Sequence, residues 1–301
     1  MNAEILADVE VTLAALLLML GVFIMSLRTM RTHEMRSRLY ISMVALVVLE
    51  ALSYLVVMLL TPFHGPRAVV KLFDFVLDIA LDFQVLLFLL FVMYEIFENK
   101  DYIRRRIVCY AIPLYILIVM TVVNLFTGWI WYYDEDLTYH ANNIYYIYVL
   151  LRYFYVLAAV IQYLRYHAQQ KNAQRFHIWL FLLPMVVGGV VETVTEYTVF
   201  MLGAAIGYTV LYMILASDMS FKDAQTGFFN PYFISQLYSF VDDGTYQLSS
   251  IITFEIADEN RVEEFANILR SALPDECATI RIDAKKFITI SDSADRGHIF
   301  M

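Results

Sequence analysis

Long apolar runs alternate with short charged loops through the first 217 residues of the chain, and then the pattern changes. Val11–Leu27, Ile107–Tyr133 and Tyr197–Ser217 carry no charge at all. Leu39–Pro62 is interrupted only by Glu50, and Asn143–Leu164 only by Arg152. His177–Val191 is apolar until Glu192 and Glu196 follow it. Val69–Tyr94 begins with Lys71, Asp74, Asp78 and Asp82 before a clean run from Phe83 to Tyr94. A helix rises ~1.5 Å per residue, so roughly 20 residues cross the ~30 Å of hydrocarbon in a bilayer. The pattern predicts seven transmembrane helices, a mainly α bundle over residues 1–217, and a small α/β domain over residues 218–301.

The loops predict a direction. Arg28, Arg31, Arg36 and Arg38 follow the first run, Lys100 and Arg104 to Arg106 the third, and Arg165, Lys171 and Arg175 the fifth. The alternate loops hold only Arg67 and Lys71 as basic residues, and the segment Trp129–Asn143 contains Asp134, Glu135 and Asp136. Basic loops stay in the cytoplasm. The N-terminus is therefore expected outside and the C-terminus inside a bacterial cytoplasmic membrane, which requires an odd number of spans and so keeps the acid-bearing third run among them. Trp129, Trp131, Tyr132 and Tyr133 read as an outer interfacial belt. Glu4, Asp8 and Glu10 precede the first run where a signal peptide would be basic, so that run is expected to be retained.

Composition agrees with a membrane solvent: of 301 residues, 60% are hydrophobic and only 17% charged. The net charge of −9 argues against a nucleic-acid partner. Cys109 and Cys277 both fall on the expected cytoplasmic side, which speaks against a disulfide.

The charges inside the runs are the candidate site: Glu50, Asp74, Asp78, Asp82, Arg152, Glu192 and Glu196. Asp74, Asp78 and Asp82 recur every fourth residue and so line one helical face, with Asp82 roughly 12 Å deeper than Asp74. A charge at the bilayer centre costs ~3 kcal/mol or more. Six acids cannot all pair with one arginine. One reading is a water-filled, outward-facing acidic pocket for a small extracytoplasmic ligand, cationic or a proton. The other is a structural network in which Arg152 pairs with Asp82 or Glu50. Pro113 and Pro184 are expected to kink their helices; Gly188 and Gly189 then form either a hinge below Glu192 or a close packing surface. The span-five tyrosines Tyr145, Tyr146, Tyr148, Tyr153 and Tyr155 read as packing and interface residues.

Beyond Ser217 the chain reads as a helix over Asn230–Val241, a turn at Asp242-Asp243-Gly244, and a strand over Ser249–Ile256. An amphipathic helix over Asp258–Leu273 and a hairpin of Ala278–Ile282 with Lys286–Ile290 follow. The stretch from Asp223 to Asn230, with Asp223, Thr226, Gly227 and Asn230, resembles the D-x-L-T-G-L-x-N signature that opens GGDEF domains, the diguanylate cyclase family; Gln225 and Pro231 depart from it. The stretch from Arg281 to Phe287 stands where R-x-G-G-D-E-F would, with Phe287 retained and Asp283, Ala284, Lys285 and Lys286 replacing the loop. The resemblance implies a palm fold beneath a transmembrane sensor. In the family, an acid on the first strand and the acids of the loop hold two magnesium ions. Here Glu255 could stand for the first, but lysines stand at the loop positions, the D-x-D/F-K-x-x-N-D segment and the R-x-x-D motif are missing, and the sequence stops short of the family's later elements. The expectation is therefore a degenerate, truncated GGDEF-like domain with no catalytic residues, no metal and no cofactor. It would relay a signal within a homodimer or to a cytoplasmic protein. The competing readings are an active cyclase that makes cyclic di-GMP from GTP, and a small transporter or channel.

Overall fold

The computed structural model describes residues 3–30, 34–97, 100–166, 178–195, 198–221, 223, 225–242, 248–273 and 277–292. Glu196, Tyr197, Arg31, Lys171 and Arg175, and the expected turn at Asp243 and Gly244, lie outside them. The chain is mainly helical and divides into two compact units, one holding the described residues up to Met213 and one the described residues from Ile214 onward.

Seven helices match the seven apolar runs, the first six within the first unit and the last beginning in it: α1 (Ala3–Thr29), α2 (Met35–Leu60), α3 (Arg67–Phe97), α4 (Lys100–Thr127), α5 (Asn143–Tyr166), α6 (Ile178–Thr195) and α7 (Phe200–Ser220). Six of them, all except α6, are long and apolar enough to cross a membrane. The chain is accordingly compatible with a multi-pass membrane protein. The described apolar part of α6, Ile178–Glu192, is shorter than those six.

Helix α3 is the most enclosed. Leu89, Phe91, Val92 and Met93 on successive faces are all fully buried, as a helix surrounded by others requires. Arg36 at the start of α2 clamps Glu95 near the end of α3 through two hydrogen bonds of 2.6 and 2.8 Å. Helices α6 and α7 approach through glycine. A Cβ on Gly203 would stand 2.4 Å from the Pro184 carbonyl oxygen, and one on Gly207 2.6 Å from that of Phe181. Gly188 lies against the Cα atoms of Gly203 and Phe200, so at this point the small residues serve close packing.

The fourth apolar run does not continue as helix to Tyr133. Helix α4 stops at Thr127, where Gly128 takes a positive φ of 66°. A two-stranded hairpin follows, β1 (Trp131–Tyr133) and β2 (Tyr139–Ala141). Strand alternation sorts the aromatic cluster: Trp131 and Tyr133 turn inward and are buried, while Trp129 and Tyr132 stay exposed. The belt expected from sequence is therefore split between core and surface.

The second unit has a three-stranded antiparallel sheet in the order β3 (Leu248–Glu255), β5 (Lys286–Asp292), β4 (Ala278–Arg281). Helix α8 (Phe233–Asp242) packs Phe233 and Leu237 against Ile280 and Ile290. Helix α9 (Val262–Ala272) brings Phe265 against Phe254 and Phe287, which stand opposite each other on β3 and β5. Because β5 alternates, Phe287 and Ile288 face opposite ways, and each face of the sheet receives one helix. The first turn of the expected Asp258–Leu273 helix is a separate 3-10 turn, Glu259–Arg261.

Candidate functional site

The periodicity of α3 places Asp74, Asp78 and Asp82 one above another, and α5 meets that face with Arg152. Arg152 Nε donates to Asp82 Oδ1 at 2.7 Å. Its Nη2 donates to Asp78 Oδ1 at 2.7 Å and to the Asp78 carbonyl at 3.0 Å. The guanidinium also lies 4.3 Å from the ring centre of Tyr148, one turn earlier on α5, and donates to its hydroxyl. One arginine thus bridges two carboxylates.

The second oxygen of each carboxylate is also occupied. Asp82 Oδ2 accepts from the hydroxyls of Tyr148 at 3.2 Å and Thr121 at 3.3 Å. Those two hydroxyls lie 2.7 Å apart. Asp78 Oδ2 accepts from the Trp131 indole N–H at 2.8 Å. Asp82 is fully buried and Asp78 nearly so. A buried ion pair is tolerable only when its remaining lone pairs are satisfied, and here they are. Sequence reasoning missed Trp131, Thr121 and Tyr148. Tyr148 had a local signal, its position four residues before Arg152; the other two are brought in by α4 and the hairpin.

The hairpin is held in register by Asn124. Its Oδ1 accepts from the N–H groups of Ile130 at 2.7 Å and Trp131 at 3.2 Å, and its Nδ2 donates to the Trp131 carbonyl at 3.1 Å. At the far turn, Asp134 accepts from the N–H groups of Asp136 and Thr138 and meets His140 at 3.0 Å. The His140 contact first, and the backbone N–H groups after it, hold the Asp134 carboxyl below the usual aspartate range. Arg67 donates to the Tyr133 carbonyl, and Tyr133 lies within electrostatic reach of Asp74.

The other candidates are placed elsewhere. Glu192 is half-buried and accepts from the Phe200 N–H at 2.8 Å, so it caps the start of α7; Asp8 does the same for the Thr198 N–H at 3.0 Å. Glu50 is buried on α2 and lies within electrostatic reach of Tyr208 on α7. The structure therefore brings Asp78, Asp82 and Arg152 into one cluster with Asp74 at its edge. Glu50 and Glu192 are not in direct contact with that cluster.

In the second unit the signature residues build a turn. Asp223 Oδ1 accepts from the Gln225 N–H, from the N–H and hydroxyl of Thr226, and from Arg281 Nη1 at 3.0 Å. Gly227 supplies the positive φ of 75° that closes this turn. Partial burial pushes the Asp223 carboxyl up, but the Thr226 and Arg281 donors outweigh it and hold the group below the usual range. Asn230 donates to the Ser220 carbonyl at 2.7 Å, its N–H binds the Phe221 carbonyl, and Phe229 bridges to Ile280 of β4. Arg281 also donates to the Asp283 and Ala284 carbonyls, so it joins the signature turn to the 283–286 loop.

That loop does not fit a two-magnesium centre. Lys286 stands directly across from Glu255, the one first-strand acid, and Asp283 spends its Oδ1 on the N–H groups of Lys285 and Lys286. Hard cations need several free carboxylate oxygens, and among the described residues no cluster of three or more His, Cys, Asp or Glu side chains could hold a metal. No protein-family model, no curated protein and no solved structure matches the chain.

Proposed function

We propose that the chain is a signal-receiving protein of the bacterial cytoplasmic membrane, with its N-terminus outside and its C-terminus in the cytoplasm. Seven helices form the receiving part. The tail, a degenerate GGDEF-like domain, acts by contact with a second copy or a cytoplasmic protein and not by catalysis. The signal enters at the outer end of the α3 acids, where Asp74 meets Tyr133 beside the hairpin. The acids there suit a small cationic ligand or a proton.

The observation that carries this reading is the use to which the signature residues are put. The Asn230 side chain holds the Ser220 carbonyl at the end of α7, the Asn230 N–H holds the Phe221 carbonyl, and Phe229 pairs with β4 through backbone bonds, with no Gly/Ser linker between. Within the second unit, a displacement of the Ser220 end of α7 would act on β4 through these bonds. The 283–286 loop meanwhile carries lysine where metal-binding acids would be needed for nucleotidyl transfer. Conformational coupling is kept and the chemistry is lost.

The test uses the full chain in lipid nanodiscs. Hydrogen exchange at Phe221–Ile234 is followed while the external face is challenged with spermidine or with a shift toward acid pH. A change in exchange that disappears in Asp74→Asn supports the reading; tail exchange indifferent to every challenge overturns it. Cyclic di-GMP formed from GTP and magnesium by the same sample would overturn the non-catalytic output.

A further inference from the structure

The described residues hold three buried side-chain oxygens without a hydrogen-bond partner: Glu50 Oε1, Ser53 Oγ and Gln84 Oε1. All three side chains belong to residues more than nine-tenths buried, at 3%, 0% and 7% exposure. Glu50 and Ser53 are three residues apart on α2 and so share a helical face, and α2 packs along α3, which carries Gln84. Gln84 Nε2 donates to the Tyr208 hydroxyl, and the Glu50 charge acts on that same phenol. Tyr208 thus marks where the polar groups of α2 and α3 meet. Tyr40 fixes this part of α7 by donating to the Tyr208 carbonyl at 2.8 Å.

The charge count around this group does not close. Arg152 is the basic group whose charge reaches Glu50, but its Nε and Nη2 donate to Asp82, Asp78 and Tyr148. Tyr208 and Tyr40 can only be neutral or negative. A lone carboxylate in such a place is far more costly than an unpaired neutral group. Two of the three open atoms are pure acceptors, and the third, a hydroxyl, can accept as well. What is missing is therefore positive. One carboxylate with neutral oxygens matches a single charge; a divalent ion would leave an excess of one.

We propose that Glu50, Ser53 and Gln84 form an internal site for one small monovalent cation, a proton or a sodium ion, whose single charge neutralises Glu50 inside the bundle. A proton on Glu50 turns an orphan acceptor into a donor that can serve Gln84. A sodium ion takes the three oxygens as ligands together. Both occupy the same carboxylate, so they compete. Occupancy falls as pH rises in the absence of sodium, because the carboxylate then loses its proton with nothing to replace it.

The experiment is thermal unfolding of the full chain in nanodiscs, in choline chloride, from about pH 6 to about pH 9.5, repeated with sodium chloride at equal ionic strength. Wild type is expected to lose about 10 °C in Tm toward alkaline pH in choline. Recovery on adding sodium assigns the ion, and no recovery assigns the proton. Glu50→Gln should abolish the dependence on both. Ser53→Ala, which breaks no existing hydrogen bond, should keep the fold and weaken any sodium response about tenfold. Infrared spectra of wild type at about pH 7 without sodium provide a readout that does not depend on a variant folding. They should show a neutral-carboxyl band that sodium or alkali removes. A wild-type Tm and spectrum indifferent to both cations, or a Glu50→Gln variant with the same dependence as wild type, overturns the proposal.

Discussion

Arg152 Nε and Asp82 Oδ1 stand 2.7 Å apart, although seventy positions separate the two residues along the chain. The bond fixes α5 against α3 where the Asp82 side chain is fully buried and that of Arg152 is only 14% exposed. Removing one partner of such a pair leaves the other buried and unpaired, which costs about 3–5 kcal/mol. Arg152→Met is expected to lose stability on that scale. Arg152→Met combined with Asp78→Asn and Asp82→Asn should recover most of it, because the neutral set leaves no unpaired charge. Thermal unfolding in nanodiscs checks both. A triple variant no better than the single one would mean the cluster is held by shape rather than charge.

The Trp131 indole N–H is the donor for the outer oxygen of Asp78. Trp131→Phe keeps the ring packing against Tyr133 and Tyr139 and deletes only that donor. A buried acceptor left open costs about 1–3 kcal/mol. The expected signature is faster hydrogen exchange across the hairpin, measured at Trp131–Tyr133 and Tyr139–Ala141, with little change in α1.

Gly203 and Gly21 offer a controlled comparison. A Cβ at Gly203 meets the Pro184 carbonyl oxygen at 2.4 Å, whereas one at Gly21 finds nothing within 4 Å. Gly203→Ala must push α6 away from α7, at a cost of about 1–3 kcal/mol. Gly21→Ala lies in mid-helix with a free surface, so it should be neutral or stabilising by up to about 1 kcal/mol. A lowered Tm for Gly203→Ala, beside an unchanged or raised Tm for Gly21→Ala, is the expected result.

Asp223 gives the tail an acid limit. Its folded carboxyl holds a proton less readily than the same residue in an unfolded chain, because the Thr226 and Arg281 donors serve the charged form. Its contribution is therefore complete above the unfolded aspartate value of about 3.9 and declines as pH falls through that value and below it. Exchange of the Phe229 and Asn230 amides should rise in that window. In Asp223→Asn the rise should be absent, with exchange already faster at neutral pH.

The helices were legible because membrane solvent writes long, nearly unbroken runs, and all seven runs became helices. The end of α4 was not, since Trp131 and Tyr133 are as apolar as the helix before them. What separates helix from hairpin there is the positive φ of Gly128 and the caps from Asn124, which are facts of conformation. In the tail, period-2 and period-3.6 patterns located each strand and helix within a few residues. At the site, spacing alone put Asp74, Asp78 and Asp82 on one face. Which acids Arg152 takes could not be read from spacing, because the choice rests on how α5 crosses α3. Glu192 as a cap for α7 was also hidden, because the N–H it accepts from belongs to Phe200, eight positions further along the chain.

The order of the Arg152 cluster along the chain bears on how the protein is made. Helix α3, with Asp78 and Asp82, precedes α5 and its Arg152 in the chain, so in a membrane it would be released into the bilayer first. An arginine-bearing helix is a poor candidate for lipid by itself, at ~3 kcal/mol for the charge. Here it arrives to find two carboxylates already waiting. The acids would then act as a landing place during biogenesis, and Trp131, which lies between them and Arg152 in the sequence, donates to Asp78 in the assembled cluster. Substitutions at Asp78 or Asp82 should therefore show first as failed insertion of α5, visible in newly made chains, before any loss of stability in the finished protein can be measured.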